Sequence, residues 1–366
     1  QFITPITFET LTGHKCMVDT FDRDFKFEVT HISLAKKADV VLVAPATANV
    51  IAKLAHGIAD DMLTTVVLAA KCKKLVSPAM NTAMLENPIT QDNLATLERY
   101  GFTVIPSESG VLACKDVGSG RLPKEDVLIE YILHTIARPK DLAGVRVTVT
   151  AGPTQEALDP VRYLTNHSTG KMGYALAEQA RDLGAQVTLV SGPVALDAPY
   201  GVDVVDVTTA QDMFDVVTSR FSDTDITVMA AAVGDFRPVE QARDKIKKNG
   251  RSGIELELTS NPDILAWAGE HKRPDQTLCG FAMETRDLEA NAAKKLNGKH
   301  CDMLVANNLR TPGAGFAADT NVVTVLTPGE TADRPSIERW SKMGKDALAK
   351  RILVKLAAMR ADGERR

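Results

Sequence analysis

Residues 38–45, AlaAspValValLeuValAlaPro, form a short unbroken apolar run closed by a proline. A strand without polar alternation has to be buried on both faces, which is the position of a strand inside a parallel sheet. Runs of the same kind at 73–78 and 103–106 read as strands, and helical stretches at 50–70 and 88–100 separate them, with Asn49 or Thr47 as cap of the first. Strand and helix alternate every ~20 to 30 residues, the rhythm of an α/β domain with crossover helices. ArgProLysAspLeuAlaGly (138–144) reads as a linker, and the rhythm then resumes. Strands are expected at 145–150, 186–190, 202–206, 225–230, 277–280, 302–306 and 321–326. Helices are expected at 171–183, 209–220, 262–269, 287–297 and 341–359. The fold class is therefore α/β, as two Rossmann-like three-layer domains at 1–138 and 139–366, and 366 residues suit two domains better than one.

The bulk properties remove several function classes. A net charge of -4 with basic residues spread along the chain gives nucleic acid no footprint. No run of eighteen apolar residues exists to span a membrane, and no signal peptide is visible. Five cysteines without CxxC spacing suggest neither a disulfide framework nor structural zinc, so a cytoplasmic protein is expected.

The chemistry concentrates after the strands. ThrAlaGlyProThrGlnGluAlaLeuAspProValArgTyrLeuThrAsnHisSerThrGlyLysMetGly (150–173) lies between a strand and a helix, and carries Gly152 and Asn166. The carboxyl end of a parallel strand is where open α/β sheets bind ligands, so a phosphate or carboxylate site is expected here. Its glycines lack GxGxxG spacing, which argues against a dinucleotide dehydrogenase. ValAlaProAlaThrAlaAsn (43–49) offers either helix capping or a bed of small residues, including Ala44, Thr47 and Asn49, for a planar cofactor or its phosphate. Asn81 follows a strand in SerProAlaMetAsnThrAlaMet, and its amide could hold a carboxylate. Cys114, in the Gly-rich stretch 110–121, is either a buried structural cysteine or part of a flap, and His31, at a helix start after Thr30, is either a packing residue or a proton carrier. Ala231 and Asp235 follow the strand in ValMetAlaAlaAlaValGlyAspPheArgPro, and AspLysIleLysLys (244–248) contributes cations including Lys245. The stretch 237–254 breaks the rhythm and reads as a mobile, basic loop over something negative. ThrSerAsnProAsp (259–263) can cap the next helix while presenting N–H groups to phosphate.

These motifs together resemble the bifunctional bacterial coenzyme A biosynthesis family, in which a flavodoxin-like phosphopantothenoylcysteine decarboxylase precedes a phosphopantothenate–cysteine ligase with a parallel-rich mixed sheet. The resemblance covers nearly the whole chain. For the first domain it implies FMN, with His31 as catalytic base, Asn81 holding the substrate carboxylate and Cys114 as proton donor. For the second it implies CTP with magnesium, 4'-phosphopantothenate activated as an acyl-cytidylate, and L-cysteine as the attacking amine. Asn166 would engage the activated intermediate and Lys245 would neutralise charge at the transferred phosphate. Asp235, Asn261, Pro262, Asp263, Ile264, Phe281, Lys295 and Lys299 would contact the nucleotide, with Lys295 and Lys299 on one helical face. The family further implies homo-oligomers: ligase dimers, decarboxylase trimers and often a dodecamer.

Two departures stand out. Leu85 occupies the place where the family usually has Trp. No strand and Gly-rich turn for the flavin phosphate precede residues 2–8, so an incomplete first domain is expected. A ligase carrying an inactive decarboxylase remnant, or a non-enzymatic oligomeric scaffold that regulates a partner, are the competing readings.

Overall fold

A computed structural model describes residues 3–18, 30–137, 139–247, 255–284, 287–308, 318–331 and 334–363. The chain divides into two compact units, 1–137 and 138–366.

The first unit runs α1 (Pro5–Thr12), α2 (Thr30–Lys37), β1 (Val40–Ala46), α3 (Ala48–His56), α4 (Met62–Ala69), β2 (Lys73–Pro78), α5 (Thr82–Leu85), α6 (Pro88–Arg99), β3 (Phe102–Val104), β4 (Glu108–Val111), β5 (Val117–Arg121) and α7 (Glu125–Ile136). β1, β2 and β3 form a parallel sheet in that order. Ile51, Ala55, Val67, Leu94 and Leu97 pack over Val43 and Val76, so α3, α4 and α6 bury their apolar stripes against it. The single helix expected over 50–70 is two. Gly57 (φ 70) closes α3 in the left-handed region, and Asp61 restarts the chain with a reciprocal capping box to Thr64. Thr47 is the cap of α3, accepting from Val50 N at 3.3 Å. The Gly-rich stretch 110–121 is more ordered than a loop, because β4 and β5 pair as an antiparallel hairpin.

The second unit runs β6 (Arg146–Ala151), β7 (Gln155–Ala157), β8 (Tyr163–Thr165), α8 (Lys171–Asp182), β9 (Gln186–Ser191), β10 (Asp203–Asp206), α9 (Ala210–Phe221), β11 (Ile226–Met229), β12 (Phe236–Pro238), β13 (Leu258–Ser260), α10 (Ile264–His271), β14 (Thr277–Glu284), α11 (Leu288–Gly298), β15 (Met303–Asn308), β16 (Thr320–Thr331), β17 (Arg334–Gly344) and α12 (Lys345–Gly363). Eight strands form one sheet in the order β10-β9-β6-β11-β14-β15-β16-β17. β10 through β15 are parallel, and β16 and β17 add an antiparallel hairpin. One core cluster joins α8 and α12 to the sheet, and a second joins α9, α10 and α11. The unit is thus three layers around a parallel-rich mixed sheet. β17 occupies residues that helical spacing would begin to claim at 341, and α12 starts at Lys345. Trp340 within β17 is buried beneath the Arg351 guanidinium, which lies 4.0 Å from its ring centre.

The order of strands positions the site. From β6 the chain moves outward through β9 to β10, then returns to the other side of β6 for β11 and moves on through β14 to β15. The reversal leaves a crevice at the carboxyl ends of β6 and β11, where connections depart in opposite directions.

Candidate active sites

In the second unit the crevice is a cleft of two adjoining lobes, each about 420 Å³. Ala231, Val233, Asp235, Phe281 and Lys295 line both. One lobe continues along Ser260–Leu265 and takes in Asn261, Pro262, Asp263 and Ile264. The other continues along the start of α8 and takes in Asn166, Lys171, Asn307 and Lys345.

Local chemistry explains how these groups are held. Asn166 Nδ2 donates to Ala232 O at 2.9 Å and to Val233 O at 3.3 Å, tying the end of β8 to the segment after β11. Asn261 Nδ2 donates to Gly234 O at 2.8 Å, and Asn261 Oδ1 accepts from Arg237 Nη1 at 3.0 Å. Thr150 and Thr154 hydroxyls accept from Ala231 N (3.1 Å) and Gly234 N (2.9 Å), so the segment lining both lobes is fixed at each end. Asp263 caps α10 through Ala266 N at 2.9 Å and pairs with Lys299. Burial works to raise the Asp263 carboxyl, but the Lys299 ammonium and the Ala266 amide outweigh it and hold it below its usual range. Lys295 Nζ donates to Phe281 O at 3.1 Å.

The structure therefore brings Asn166, Ala231, Asp235, 261–264, Phe281 and Lys295 around one space. Lys299 stands behind the lining as the partner of Asp263. Gly152 (φ 76) lies outside the lining, with its Cα seated against Gly192 and Val194. Lys245 is exposed on the segment leaving β12 and does not line either lobe, and Lys248 lies outside the described residues. Sequence reasoning missed Lys171, Asn307 and Lys345. Lys345 is 7 % exposed. Burial and the neighbouring Lys171 push its ammonium below the usual lysine range, with Asp319 opposing. Lys171 sits inside the stretch already singled out, and Asn307 is the last residue but one of an apolar strand; each was readable as a polar residue where a strand or turn opens into the cleft.

In the first unit two residues 33 positions apart meet. Asn81 Nδ2 lies 3.5 Å from Cys114 Sγ, and Cys114 Sγ donates to Asp116 Oδ2 at 3.3 Å. Asn81 Oδ1 caps α5 through Ala83 N at 2.9 Å. The hairpin carrying Cys114 is clamped to this corner by Met80 N to Gly120 O (3.0 Å) and Thr82 Oγ1 to Ser119 O (2.7 Å). A Cβ on Gly120 would come within 2.0 Å of Met80 O, so only glycine allows that approach. Cys114 is the exposed cysteine of the five; Cys279 and Cys301 are buried, and burial pushes the Cys301 thiol up to about 12. His31 is the second residue of α2, half-buried, with no hydrogen bond to Asn81 or Cys114. Ala44, Thr47 and Asn49 sit where β1 passes into α3, around Ala46, which pairs with Pro78 at the end of β2 and accepts from Ala79 N just beyond it. Asp116 was not anticipated from sequence; a carboxylate two residues from a flap cysteine was the available signal.

Comparison with known proteins agrees with both halves. The DNA/pantothenate metabolism flavoprotein C-terminal domain family matches residues 142–359, and the flavoprotein family matches residues 1–137. The coenzyme A biosynthesis bifunctional protein CoaBC of Bacillus subtilis (strain 168) is 47 % identical over 329 residues, covering 89 % of this chain and 80 % of that protein. The chain belongs to the coenzyme A biosynthesis bifunctional protein family. A second member, from Vibrio parahaemolyticus, is 42 % identical over 97 % of this chain and 88 % of its own length. The crystal structure of the C-terminal domain of a bifunctional CoaBC superposes with a TM-score of 0.52 at 39 % identity, covering 61 % of this chain and all of that domain. Among the described residues no helix is long and apolar enough to cross a membrane.

Proposed function

We propose that this family member, a bifunctional enzyme of coenzyme A biosynthesis with ligase and FMN-dependent decarboxylase activities, divides its two reactions between its two units. The 138–366 unit joins 4'-phosphopantothenate to L-cysteine using CTP, and the 1–137 unit decarboxylates the 4'-phosphopantothenoylcysteine that results. The observation that carries the reading is the two-lobed cleft at the β6/β11 reversal, lined by residues from nine separate segments.

In the ligation, the pantothenate carboxylate oxygen attacks the α-phosphorus of CTP and the bond to pyrophosphate breaks. The amine of cysteine then attacks the acyl carbon and CMP leaves. The lobe along 260–265 receives the nucleotide, with Phe281 and Lys295 at the junction. Asn166 lies across from them, its amide nitrogen engaged by backbone, so its Oδ1 is the atom it offers the acyl intermediate. Lys245 supplies positive charge as negative charge develops on the transferred phosphate. Magnesium, arriving with the nucleotide phosphates, would offset their charge there, and Asp235 and Asp263, the carboxylates lining that lobe, are the residues that would hold it.

The first unit suits a flat flavin ring. Ala44, Ala46 and Ala48 add no side chain beyond Cβ where β1 ends, and Ser77 Oγ, wholly buried in the adjacent strand, has no hydrogen-bond partner among the described residues. FMN bound there would supply the two-electron oxidation and reduction that allow the carboxylate to depart. Ala44, Thr47 and Asn49 would hold it. Asn81 orients the substrate carboxylate, His31 accepts a proton from the substrate thiol, and Cys114 returns one from the hairpin turn. The enzyme works in the cytoplasm as a homo-oligomer of ligase dimers and decarboxylase trimers. An oligomer is favoured by α1, which has no buried residue and exposes Ile6, Phe8 and Leu11.

The deciding assay supplies 4'-phosphopantothenate and cysteine with CTP or ATP in turn, and reads pyrophosphate and carbon dioxide. CTP should outperform ATP, and both products should form. Equal rates with the two nucleotides, or no pyrophosphate from either, would overturn the ligase assignment; pyrophosphate without carbon dioxide from a protein lacking flavin colour would favour the inactive remnant.

A further inference from the structure

Two hairpins rise from the rim of the cleft. β7 and β8 pair antiparallel, and Asn166 follows β8 directly. β12 and β13 pair antiparallel, with Asp235 entering and Asn261 leaving. Lys245 belongs to the connection between β12 and β13. The described part of that connection is anchored on the first hairpin rather than standing free.

Asp159, in the turn between β7 and β8, makes the anchor. It is 2 % exposed. Its Oδ1 accepts from Val161 N (2.8 Å) and Arg162 N (2.9 Å). Its Oδ2 accepts from Arg162 Nε (3.0 Å) and Nη2 (2.6 Å), and also from Ile246 N at 3.1 Å. Arg162 Nη2 closes the ring by donating to Ile246 O at 2.9 Å. Ala242 N donates to Leu158 O at 3.0 Å, so the segment is held on both sides of Lys245. A charged carboxylate with this many donors is a strong and directional fixed point. Neither Asp159 nor Arg162 lines either lobe of the cleft.

We infer that Asp159 is a positioning residue for the ligation: through Ile246 its carboxylate fixes the backbone that carries Lys245, and so sets where that ammonium stands relative to the cleft rim. The inference rests on the nucleotide role of Lys245 proposed above. A lysine that neutralises developing charge is useful only if it is already in place, since a misplacement of about 1 Å can cost on the order of 100-fold in rate.

The test is a double-mutant cycle on the full chain, reading pyrophosphate release from CTP and 4'-phosphopantothenate. Asp159→Asn keeps the shape but loses the charge, and should lower kcat by about 10- to 100-fold while leaving KM for 4'-phosphopantothenate within about twofold. Trypsin cleavage after Lys245 and Lys247 should accelerate in the same variant. Ile246→Pro removes the N–H that Asp159 accepts and should reproduce the loss of kcat, together with faster trypsin cleavage after Lys247 (the new Lys–Pro bond at 245–246 resists trypsin), which keeps the test open if Asp159→Asn fails to fold. The decisive comparison is Asp159→Asn made in a Lys245→Ala background. It should add less than about a twofold further loss, because the lysine it positions is already gone. If the two losses multiply instead, or if Ile246→Pro retains full kcat, Asp159 does not act through Lys245. If Lys245→Ala alone keeps full pyrophosphate release, the nucleotide role of Lys245 fails first, and that outcome is distinct.

Discussion

The two units solve site-building differently. The 138–366 unit has an eight-stranded sheet with helices on both faces, and its cleft comes with the topology: where strand order reverses, a recess opens and many segments reach it. The 1–137 unit has three described parallel strands, and its Asn81–Cys114 corner is assembled by clamping a small hairpin onto the end of one of them. The ligation proposed for the larger unit, with two substrates and a triphosphate, needs many donors, which a large sheet supplies. The proton transfer proposed for the smaller unit needs two groups in register, which a close backbone contact supplies.

The comparison can be broken most directly at the charge carriers. Lys245→Ala should lower pyrophosphate release by roughly 1000-fold, the scale of removing a preorganised electrostatic contact, while decarboxylation of supplied 4'-phosphopantothenoylcysteine is unchanged. Loss of both activities would mean that the units do not hold separate sites. Asn81→Ala is the mirror experiment, expected to lower carbon dioxide release by about 100-fold with pyrophosphate release intact.

Stability sharpens the contrast further. Asp225 accepts from Arg146 N (2.8 Å) and Nε (3.3 Å), joining the first residue of β6 to the residue just before β11. Burial works to raise the Asp225 carboxyl, but the guanidinium and backbone amide of Arg146 prevail and lower it. A depressed carboxyl contributes stability above the ordinary aspartate range, and that contribution is lost as pH falls through the folded-state value. Asp225→Asn should therefore cost ~1 to 3 kcal/mol at pH 7, measured by urea unfolding, and should flatten the stability profile below about pH 4. An unchanged acid limb would show that the ion pair is not what titrates. The smallest effects are expected at the two capping boxes. Asp61→Ala in the first unit and Thr209→Ala in the second should each cost ~1 kcal/mol, because each leaves one helix N–H unpaired. A much larger loss at Asp61 would mark the smaller sheet as the more dependent on its helix ends.

Sequence made the strands of the parallel sheets legible because unbroken apolar runs such as 38–45 and 145–150 suit the inside of a parallel sheet; Val147–Ala151 of β6 are all buried as that pattern requires, whereas in β1 only Val43 and Ala46 are. It also marked the strand ends from which the cleft is built. The hairpins were not legible. β7, β8, β12 and β13 are three residues each, too short for a period-two pattern to register. The described part of 237–254 reads as a mobile basic loop until Leu158 and Asp159, distant in sequence, accept its amides. The Asn81–Cys114 contact depends on the fold of the hairpin, which no local pattern encodes. α3 and α4 merged into one expected helix because the apolar spacing continues past Gly57, while the break is set by backbone conformation.

The seat of Gly120 on the Met80 carbonyl also determines what can leave. With no space at the base of the hairpin, β5 cannot slide along the strand end beneath it. If product leaves past Cys114, as the proposed role of that residue implies, its release falls to the tip alone, residues 112–116, where Lys115 already holds a left-handed backbone (φ 70). Opening would be a flick of a few residues about a fixed heel.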